Sequence, residues 1–308
     1  MIDPSTPLRE LPVAVVDFEA TDYPNADAHV VDAAVVHGTL GQGDARIAFS
    51  SLVRPPVPIP ERVSTVHGIT DADVADAPVF GAVMDDLLEA CAGRVIVAFN
   101  APADFMFLAR ELERLERPRP PWPWLDLLVV RKATKTRGRP GKLGEIASEY
   151  GVDLDAHGAA GDALVTAMLL TPLMRAAWTA GAFRSPEGAQ PVRRRGWGDY
   201  DYDQDDEDED APPPPRVETW GAFLAWQRSA ALWQERNYAA YRREQGDAHP
   251  PRCDWHVLEG VEAPSWAPPA RVAVCPGCGA SVLVRVARDG ARSYFELGGG
   301  EHACPGRA

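Results

Sequence analysis

The sequence predicts a mixed α/β sheet flanked by helices over residues 8–182, followed by a linker, a helix and a small cysteine-bearing module. Two observations predict the sheet. Three apolar, β-rich runs come first without long helical segments between them, which favours an antiparallel meander. Strand and helix signals then alternate, which favours parallel additions to the same sheet. Apolar residues make up 45% of the 308 residues, enough for a sizeable core.

The elements of this sheet are predicted from the period of their apolar residues, which is two in strands and about 3.6 in helices. Apolar β-rich runs occupy residues 12–18, 29–37, 46–53 and 94–99. Helical periodicity appears near residues 79–91, 103–116, 125–135, 142–150 and 159–179. The last of the four strands leads directly into a helix, and binding sites of α/β proteins lie at such strand ends.

The chain is acidic, with a net charge of −14. Residues 185–215 combine proline with nine carboxylates between Asp199 and Asp210, so we expect them to form a disordered linker. Residues 1–184 also carry 25 Asp and Glu against 17 Lys and Arg. This balance excludes a protein that coats duplex DNA through a broad basic surface. Any phosphate must be bound locally, through metal ions and a few arginines.

Residues 216–246 predict a helix with an aromatic stripe. Trp220, Phe223, Trp226 and Trp233 recur at three- and four-residue spacing. Packing against an unidentified partner is the favoured interpretation of such a stripe, and ligand binding is the alternative.

The sequence has no run of about 18 uncharged apolar residues, so we expect no transmembrane helix and no membrane partner. Its first residues, MIDPSTPLRELP, lack the basic and apolar regions of a signal peptide. We therefore expect a cytoplasmic protein. In that compartment cysteines are reduced, and paired cysteines indicate a metal site rather than a disulfide.

Two carboxylates stand two positions apart at the end of the first strand, Asp17 and Glu19 in the run VVDFEAT. Residues i and i+2 of a strand point to the same face, so both acids are aimed at one place beside an apolar core. Isolated carboxylates avoid that environment unless a positive charge joins them. A hard divalent cation such as Mg²⁺ or Mn²⁺ fits, while a strand end that surfaces with acidic residues is the alternative.

Further acids and a histidine follow at two later positions. The strand ending at Asn100 feeds a helix that carries Asp104, in the run VIVAFNAPADFMFL. In the run HGAAGDA, His157 precedes a helix that carries Asp162 in its first turns. A lone histidine is more often structural, but this one accompanies four carboxylates.

These motifs, DFEAT, FNAPADFMFL and HGAAGD, resemble in order and separation those of the DEDDh (DnaQ-like) 3′–5′ exonucleases, related to the proofreading epsilon subunit of bacterial DNA polymerase III. STVHGITDADV, WLDLLVVRK and KLGEIASEYGV resemble intermediate segments of that family. The resemblance covers roughly residues 10–180. It implies a ribonuclease-H-like fold, consistent with the predicted mixed sheet.

The resemblance also implies a role for each of five residues. Asp17, Glu19, Asp104 and Asp162 would hold two Mg²⁺ or Mn²⁺ ions, and His157 would be the general base that deprotonates the attacking water. Two cations about 4 Å apart can lower the pKa of that water and stabilise the leaving 3′-oxygen of an anionic phosphodiester. A histidine titrates near neutral pH, which suits proton removal.

Contacts with the 3′-terminal nucleotide are implied for residues around the acids, namely Phe18, Ala20, Thr21, His67 and Asn100. For His67, a structural role in a turn with Gly68 is the alternative. The chain departs from the family at Phe99, where a histidine is frequent, and after Glu19, where Ala20, Thr21 and Asp22 stand in place of Thr-Thr-Gly or a similar run. Neither departure removes a metal ligand.

The last segment, residues 250–308, predicts a zinc-ribbon-like module. Cys275 and Cys278 form a CxxC turn, a hairpin signal with Asp289-Gly290 follows, and His302 and Cys304 come next. Two ligands, a hairpin and two more ligands are the layout of a structural Zn²⁺ site. Cys253 and His256 are reserve ligands, and redox chemistry by the CxxC is the alternative.

The sequence thus predicts a metal-dependent 3′–5′ exonuclease that removes nucleoside 5′-monophosphates from single-stranded or frayed DNA ends, with a DNA polymerase or another replication or repair protein as an expected partner. Two alternatives stay open. The substrate is RNA, as in an exoribonuclease or oligoribonuclease, since the motifs do not read the 2′-position. Alternatively, the domain is a catalytically silent docking module, which predicts decay of the acidic set that the sequence does not show.

Overall fold

The structure is a computed structural model that describes residues 2–23, 27–134, 140–152, 158–179, 183, 217–228, 230, 231 and 234, and three strands between residues 271 and 296. The chain divides into two compact units, residues 1–251 and residues 252–308. The predicted linker, residues 185–215, lies outside the described residues.

The first unit is built on a five-stranded sheet with helices on its faces. Its strands are β1 (Pro12–Ala20), β2 (Val30–Thr39), β3 (Arg46–Leu52), β4 (Val95–Ala98) and β5 (Trp124–Asp126). Its helices are α1 (Glu61–His67), α2 (Asp71–Val74), α3 (Phe80–Cys91), α4 (Ala101–Arg114), α5 (Leu127–Thr134), α6 (Leu143–Glu149) and α7 (Ala159–Thr179). A 3-10 turn, Leu8–Glu10, precedes β1, and a helical segment covers residues 220–228.

The sheet is mixed, with the strand order β3-β2-β1-β4-β5. β1 pairs antiparallel with β2, and β2 pairs antiparallel with β3. β4 lies parallel to β1 on its other side, and β5 lies parallel to β4. The predicted order, an antiparallel meander followed by parallel additions, is confirmed, and with it the ribonuclease-H-like mixed sheet flanked by helices.

The core lies around the central strands. Val13, Val15, Val35 and Val97 are buried, as expected for strands covered by helices on both faces. α7 packs across β1 and β2 and buries Leu169 completely. Burial of one such leucine contributes about 1.5–3 kcal/mol, so this helix is firmly held on the sheet that it crosses.

One predicted helix begins later than expected. Periodicity predicts a helix over residues 125–135, but Leu125 and Asp126 belong to β5, and α5 begins at Leu127. The three residues of β5 are a strand because they pair with β4, with Leu125 opposite Val97. A strand this short is determined by its neighbour in the sheet rather than by its own pattern.

Two short helices between β3 and α3 are absent from the sequence-based prediction. α1 ends at His67, followed by Gly68 in the left-handed conformation with φ 76° that glycine adopts at little cost. α2 begins with a capping box in which Thr70 and Asp73 exchange side-chain and main-chain hydrogen bonds. The chain here is therefore held by local caps and by a small buried apolar cluster in which Val63 of α1 and Val74 of α2 take part.

The aromatic segment at residues 217–234 packs within the first unit. Trp220, Phe223 and Trp226 are buried, and the Phe223 ring lies 5.9 Å from Trp220 and 5.5 Å from Trp226. The main chain joins the start of the molecule, since the Leu8 N–H donates to the Glu218 carbonyl. These three aromatic side chains contribute to packing, whereas Trp233 lies outside the described residues.

The second unit contains a three-stranded antiparallel sheet in the order β6-β7-β8, formed by Arg271–Val274, Ser281–Val286 and Arg292–Glu296. The predicted hairpin is present as the β7–β8 pair. The candidate zinc ligands Cys275, Cys278, His302 and Cys304 lie outside the described residues. Within the described part of the chain, no helix has the length and apolar character that crossing a membrane requires.

Candidate active site

The centre of the candidate site is the carboxyl end of β1. Asp17 and Glu19 are half-buried there, while Val16, Phe18 and Ala20 between and beside them are buried. This alternation places the two carboxylates on one face of the central strand. The pairing register with β2 shifts between Glu19 and Ala20, and such a bulge changes the direction in which a strand end points its side chains.

Asp162 reaches the same place from the first turn of α7. One carboxylate oxygen from each of Asp17, Glu19 and Asp162 lies within 4.8 Å of the other two. Oxygen atoms that converge in this way are ligands of the type that Mg²⁺ and Mn²⁺ prefer, so these three residues can hold a metal ion.

Asp104 approaches β1 from the first turn of α4 and is buried. Its Oδ1 accepts a hydrogen bond of 3.2 Å from the N–H of Phe18, the residue between the two β1 acids. The turn before α4 is held at Asn100, whose left-handed φ of 69° turns the chain out of β4 and into the helix. The strand–turn–helix connection thus delivers Asp104 to the acids of β1.

A further acid, Asp32, was missed by the sequence analysis. It lies directly opposite Glu19 in the β1–β2 pair, and directly opposed residues share a face of the sheet. Its Oδ2 accepts a hydrogen bond of 2.9 Å from the N–H of Ala159, the first residue of α7. Asp32 therefore caps, from another strand, the helix that carries Asp162. The available signal was a single charged residue inside the apolar run VVDAAVV.

Gly158 allows this cap to form. Its φ of 113° lies in the region that glycine favours, and a Cβ on it would come within 3.2 Å of Asp32 Oδ2. His157, the residue before it and the candidate general base, lies outside the described residues.

The site is electrostatically unfavourable without cations. Burial raises the pKa of Asp17 well above its ordinary range, and the charges of Asp104, Glu19 and Asp162 raise it further. Burial, followed by the charges of Asp162 and Asp32, raises the pKa of Glu19 to about 7. Divalent cations would relieve this repulsion, because their positive charge would stabilise the ionised form of carboxyl groups that otherwise repel one another.

Asp104 and Asp126 are balanced by main-chain donors. Burial raises the pKa of Asp104, while its hydrogen bond from Phe18 opposes that change. Burial raises the pKa of Asp126 to about 6, opposed by N–H donors and the charge of Lys132. Asp126 Oδ1 accepts from the N–H groups of Asn100 at 3.0 Å and Leu128 at 2.8 Å.

The residues predicted to contact a nucleotide differ in their burial. Phe18, Ala20 and Thr21 are buried at the end of β1, and the Thr21 hydroxyl accepts the N–H of His29 at 3.0 Å. Asn100 is exposed. Contact between these four residues and a nucleotide stays a prediction.

His67 is buried at the end of α1, where its Nδ1 accepts the N–H of Ile69 at 3.0 Å. The proton therefore sits on Nε2, which is buried and has no hydrogen-bond partner among the described residues. Burial lowers the pKa of His67, which favours this neutral form. The hydrogen bond from Ile69 gives His67 a structural role at the end of α1, and its contact with substrate stays a prediction.

A model of the RNase T family, described as exonuclease, matches residues 14–170. The chain belongs to this exonuclease family. The matched region includes Asp17, Glu19, Asp104 and Asp162, as well as Asp32. It ends before the aromatic segment at residues 217–234 and before the second unit.

Relatives of this exonuclease domain carry names of replication proteins. Over 195 residues the chain is 32% identical to a DNA polymerase III subunit epsilon-like protein of Rhodobacter capsulatus. This aligned region covers 62% of this chain and 28% of that protein. Over 165 residues it is 27% identical to the DNA polymerase III subunit epsilon of Aquifex aeolicus. That aligned region covers 53% of this chain and 81% of the relative. The chain thus spans well under two thirds of the Rhodobacter relative.

Solved exonuclease structures resemble the same part of the chain at low similarity. Exonuclease X in complex with 5′ overhanging duplex DNA has a TM-score of 0.44 and 23% identity, and covers 55% of this chain and 96% of that one. Exonuclease I of E. coli in complex with a dA16 oligonucleotide has a TM-score of 0.48 and 16% identity, and covers 56% and 43%.

Proposed function

We propose that the protein is a metal-dependent 3′–5′ exonuclease that acts on single-stranded or frayed DNA ends and releases nucleoside 5′-monophosphates. The observation that carries the proposal is the convergence of Asp17, Glu19 and Asp162, with one oxygen of each within 4.8 Å of the others. Membership of the exonuclease family supports it. The polymerase III epsilon relatives favour DNA as the substrate and a polymerase as a partner.

Two Mg²⁺ or Mn²⁺ ions, when bound, would lower the pKa of a water molecule and stabilise the leaving 3′-oxygen. Asp17, Glu19 and Asp162 offer the converging oxygens that would hold them. Asp104 joins this set as the fourth carboxylate and is oriented by the Phe18 N–H. His157 stands one residue before Gly158 in the sequence. As general base it would take the proton of the attacking water at an imidazole nitrogen.

A single strand suits this domain better than a duplex. Residues 1–184 carry more acids than basic residues, so a broad phosphate-binding surface is not available. Arg131 of α5 is buried and pairs with Glu149, so its guanidinium supports the fold. Substrate affinity would therefore rest on the metal site and on the groups around the last nucleotide.

Digestion of labelled oligonucleotides tests the proposal. A single-stranded DNA oligomer with a 5′ label should give a ladder that shortens with time in Mg²⁺ or Mn²⁺, and nucleoside 5′-monophosphate should be the product. Asp17→Ala should abolish the ladder, and Asp86→Ala, which changes an exposed acid on α3, should leave it intact. A 3′-labelled oligomer that gives a ladder, because nucleotides are removed from its 5′ end, would contradict the proposed 3′–5′ polarity.

The same assay separates the two alternatives. An RNA oligomer of identical sequence that is degraded faster than DNA would identify an exoribonuclease. A parent protein that degrades neither substrate in either metal, while it remains folded, would identify a silent docking module and overturn the proposal.

We also propose that Cys275, Cys278, His302 and Cys304 hold one structural Zn²⁺ in the second unit. The β7–β8 hairpin, which lies in sequence between the two ligand pairs, supports this proposal. Elemental analysis of the purified chain should find one zinc per molecule, lost in Cys275→Ser and retained in Cys253→Ser. Loss in Cys253→Ser would identify CDWH as part of the site instead, and a zinc-free parent would contradict the proposal.

A further inference from the structure

The family match ends at residue 170, but the packed domain continues past it. The described residues between 217 and 234 return to the first unit after the linker and make hydrogen bonds with it at several places. At their beginning, the Trp220 N–H donates to the Thr6 carbonyl, and Thr219 forms a bridge with Pro7. Further along, Gln227 reaches β5.

β5 is an edge strand, and its outer main-chain groups need partners. The Pro123 carbonyl accepts from Ile96 of β4, so the next carbonyl, that of Trp124, faces away from β4. Trp124 and Asp126 are both buried. Buried main-chain groups without partners are costly, so this edge requires a donor for Trp124 and an acceptor for Asp126.

The side-chain amide of Gln227 supplies both. Its Nε2 donates to the Trp124 carbonyl at 2.9 Å, and its Oε1 accepts the Asp126 N–H at 2.8 Å. This two-point contact resembles the one that a neighbouring strand would make, because an amide carries a donor and an acceptor side by side. Gln227 itself is buried, with 4% of its surface exposed. One side chain therefore closes the edge of the sheet at the residue next to the site.

β5 is connected to the catalytic acids through Asp126. The Asp126 carboxylate accepts the N–H of Asn100, the left-handed residue at which the chain turns from β4 into α4. Asp104 lies in the first turn of that helix and accepts the N–H of Phe18. The orientation of Asp126 thus affects the start of the helix that delivers Asp104.

We propose that Gln227 is a positioning residue of the exonuclease site, which couples the segment at residues 217–234 to the turn before Asp104. The proposal rests on the proposed function for what the site does. It implies that the catalytic domain of this chain is completed by residues beyond the linker. Removal of the segment would leave β5 with an open edge beside the site.

The aromatic side chains of the same segment have a different role. Trp220, Phe223 and Trp226 bury apolar surface and stabilise the attachment of the segment. Gln227 adds little apolar surface. Its two hydrogen bonds hold β5 in place and do not contribute to the aromatic packing. A positioning role therefore predicts an effect on metal binding that exceeds the effect on stability.

A matched pair of substitutions tests this difference. Gln227→Met keeps the length of the side chain and removes the amide. Gln234→Met makes the same change on the same segment, where the Gln234 amide donates to the Val129 carbonyl of α5. Gln227→Met loses two side-chain to main-chain hydrogen bonds and Gln234→Met loses one, so thermal stability should fall in both variants and further in Gln227→Met.

The first readout is Mn²⁺ affinity by calorimetry on the protein without substrate. Gln227→Met should weaken it roughly three- to tenfold, below the 10–100-fold typical of groups that directly orient a ligand, because Gln227 acts through Asp126. Gln234→Met should keep the affinity of the parent. In digestion assays Gln227→Met should lower kcat with KM changed less than about twofold, since the substrate-binding groups stay in place.

Equal Mn²⁺ affinity in Gln227→Met and the parent would overturn the proposal, and so would equal weakening in both variants, which indicates general destabilisation. If circular dichroism shows that Gln227→Met is unfolded, Gln227→Asn replaces it, since its amide is one methylene too short to reach both main-chain groups. A parent without nuclease activity would refute the proposed function alone, because the affinity measurement still decides on positioning.

Discussion

Two groups of acids meet near the end of β1, and they differ in what surrounds their oxygens. The first group faces inward on a common point, with oxygens within 4.8 Å of one another, and consists of Asp17, Glu19 and Asp162. Each member of the second group accepts a main-chain N–H from a different element of the fold, and this group consists of Asp32, Asp104 and Asp126.

The second group links the elements that carry the site. Asp32 of β2 binds the start of α7, Asp104 of α4 binds β1, and Asp126 of β5 binds the turn before α4. The raised pKa values of Asp17 and Glu19 arise from burial and neighbouring negative charge, whereas hydrogen bonds oppose the rise at Asp32 and Asp104. Asp32 and Asp104 add to the repulsion at Asp17, and their hydrogen bonds also maintain the geometry in which that repulsion persists.

Asp17→Asn should have the largest effect of any change in either group. Activity should fall by roughly 10³-fold or more, because the central carboxylate of the metal site is lost. In EDTA the same variant should melt about 2–4 °C higher than the parent, equivalent to about 1 kcal/mol, since a repelled charge has been removed. Digestion assays and thermal unfolding check the two effects.

Asp86→Asn serves as the control for Asp17→Asn, since it removes an exposed charge from α3. Neither activity nor melting temperature should change in that variant. A lower melting temperature for Asp17→Asn in EDTA would show that Asp17 belongs with the acids that stabilise the fold.

The first group was largely predictable from the sequence. Asp17 and Glu19 follow from the two-residue period of a strand, which is a local property. Asp162 follows from a helix whose predicted range, 159–179, is confirmed by α7. Their convergence was suggested by the family motifs rather than by the periodicity itself.

The second group was harder to predict, because its function depends on contacts between distant parts of the chain. Asp32 binds a residue 127 positions away, and Asp126 is bound by Gln227, 101 positions away. β5 was assigned to a helix for the same reason, since only its pairing with β4 makes it a strand. Sequence patterns report local periodicity, and these residues are determined by tertiary contacts.

Asp32→Ala should have the second largest effect. It removes the acceptor for the first N–H of α7, so the helix that carries Asp162 loses its cap, and activity should fall about 10–100-fold. Asp32→Asn keeps an oxygen that can accept the same N–H, and its activity should stay within several-fold of the parent. Steady-state digestion rates of the two variants provide the measurement. Equal losses would mean that the charge of Asp32, rather than its hydrogen bond, matters to the site.

Asp126→Asn should have a smaller effect than Asp32→Ala, since an asparagine oxygen can still accept from Asn100 and Leu128. We expect a decrease in kcat of roughly two- to fivefold, because a neutral acceptor binds N–H groups less strongly than a carboxylate. Asp126→Ala, which removes the acceptor, should cost more and should weaken Mn²⁺ binding in parallel. Unchanged Mn²⁺ affinity in Asp126→Ala would show that Asp126 of β5 does not affect the metal site.

The effect of Glu19→Gln on stability in EDTA should be small, and it should depend on pH. The pKa of Glu19 is raised from an ordinary value of 4.5 to about 7 in the folded state. Below pH 4.5 the group is protonated in both states, so its contribution to stability is fully present. As the pH rises, the unfolded chain ionises first, and this contribution is lost progressively until the pH passes about 7.

Glutamine does not ionise, so the melting temperature of Glu19→Gln should exceed that of the parent by an amount that grows between pH 4.5 and 7 and is constant above that range. The final difference should be about 2–6 °C. Glu89→Gln, which changes an exposed glutamate of α3, should show no such growth. Saturating Mn²⁺ should reverse the sign, because the cation that Glu19 helps to bind then stabilises the folded parent more than the variant. A difference that is independent of pH in EDTA would move Glu19 out of the repelled group and leave Asp17 and Asp162 as its members.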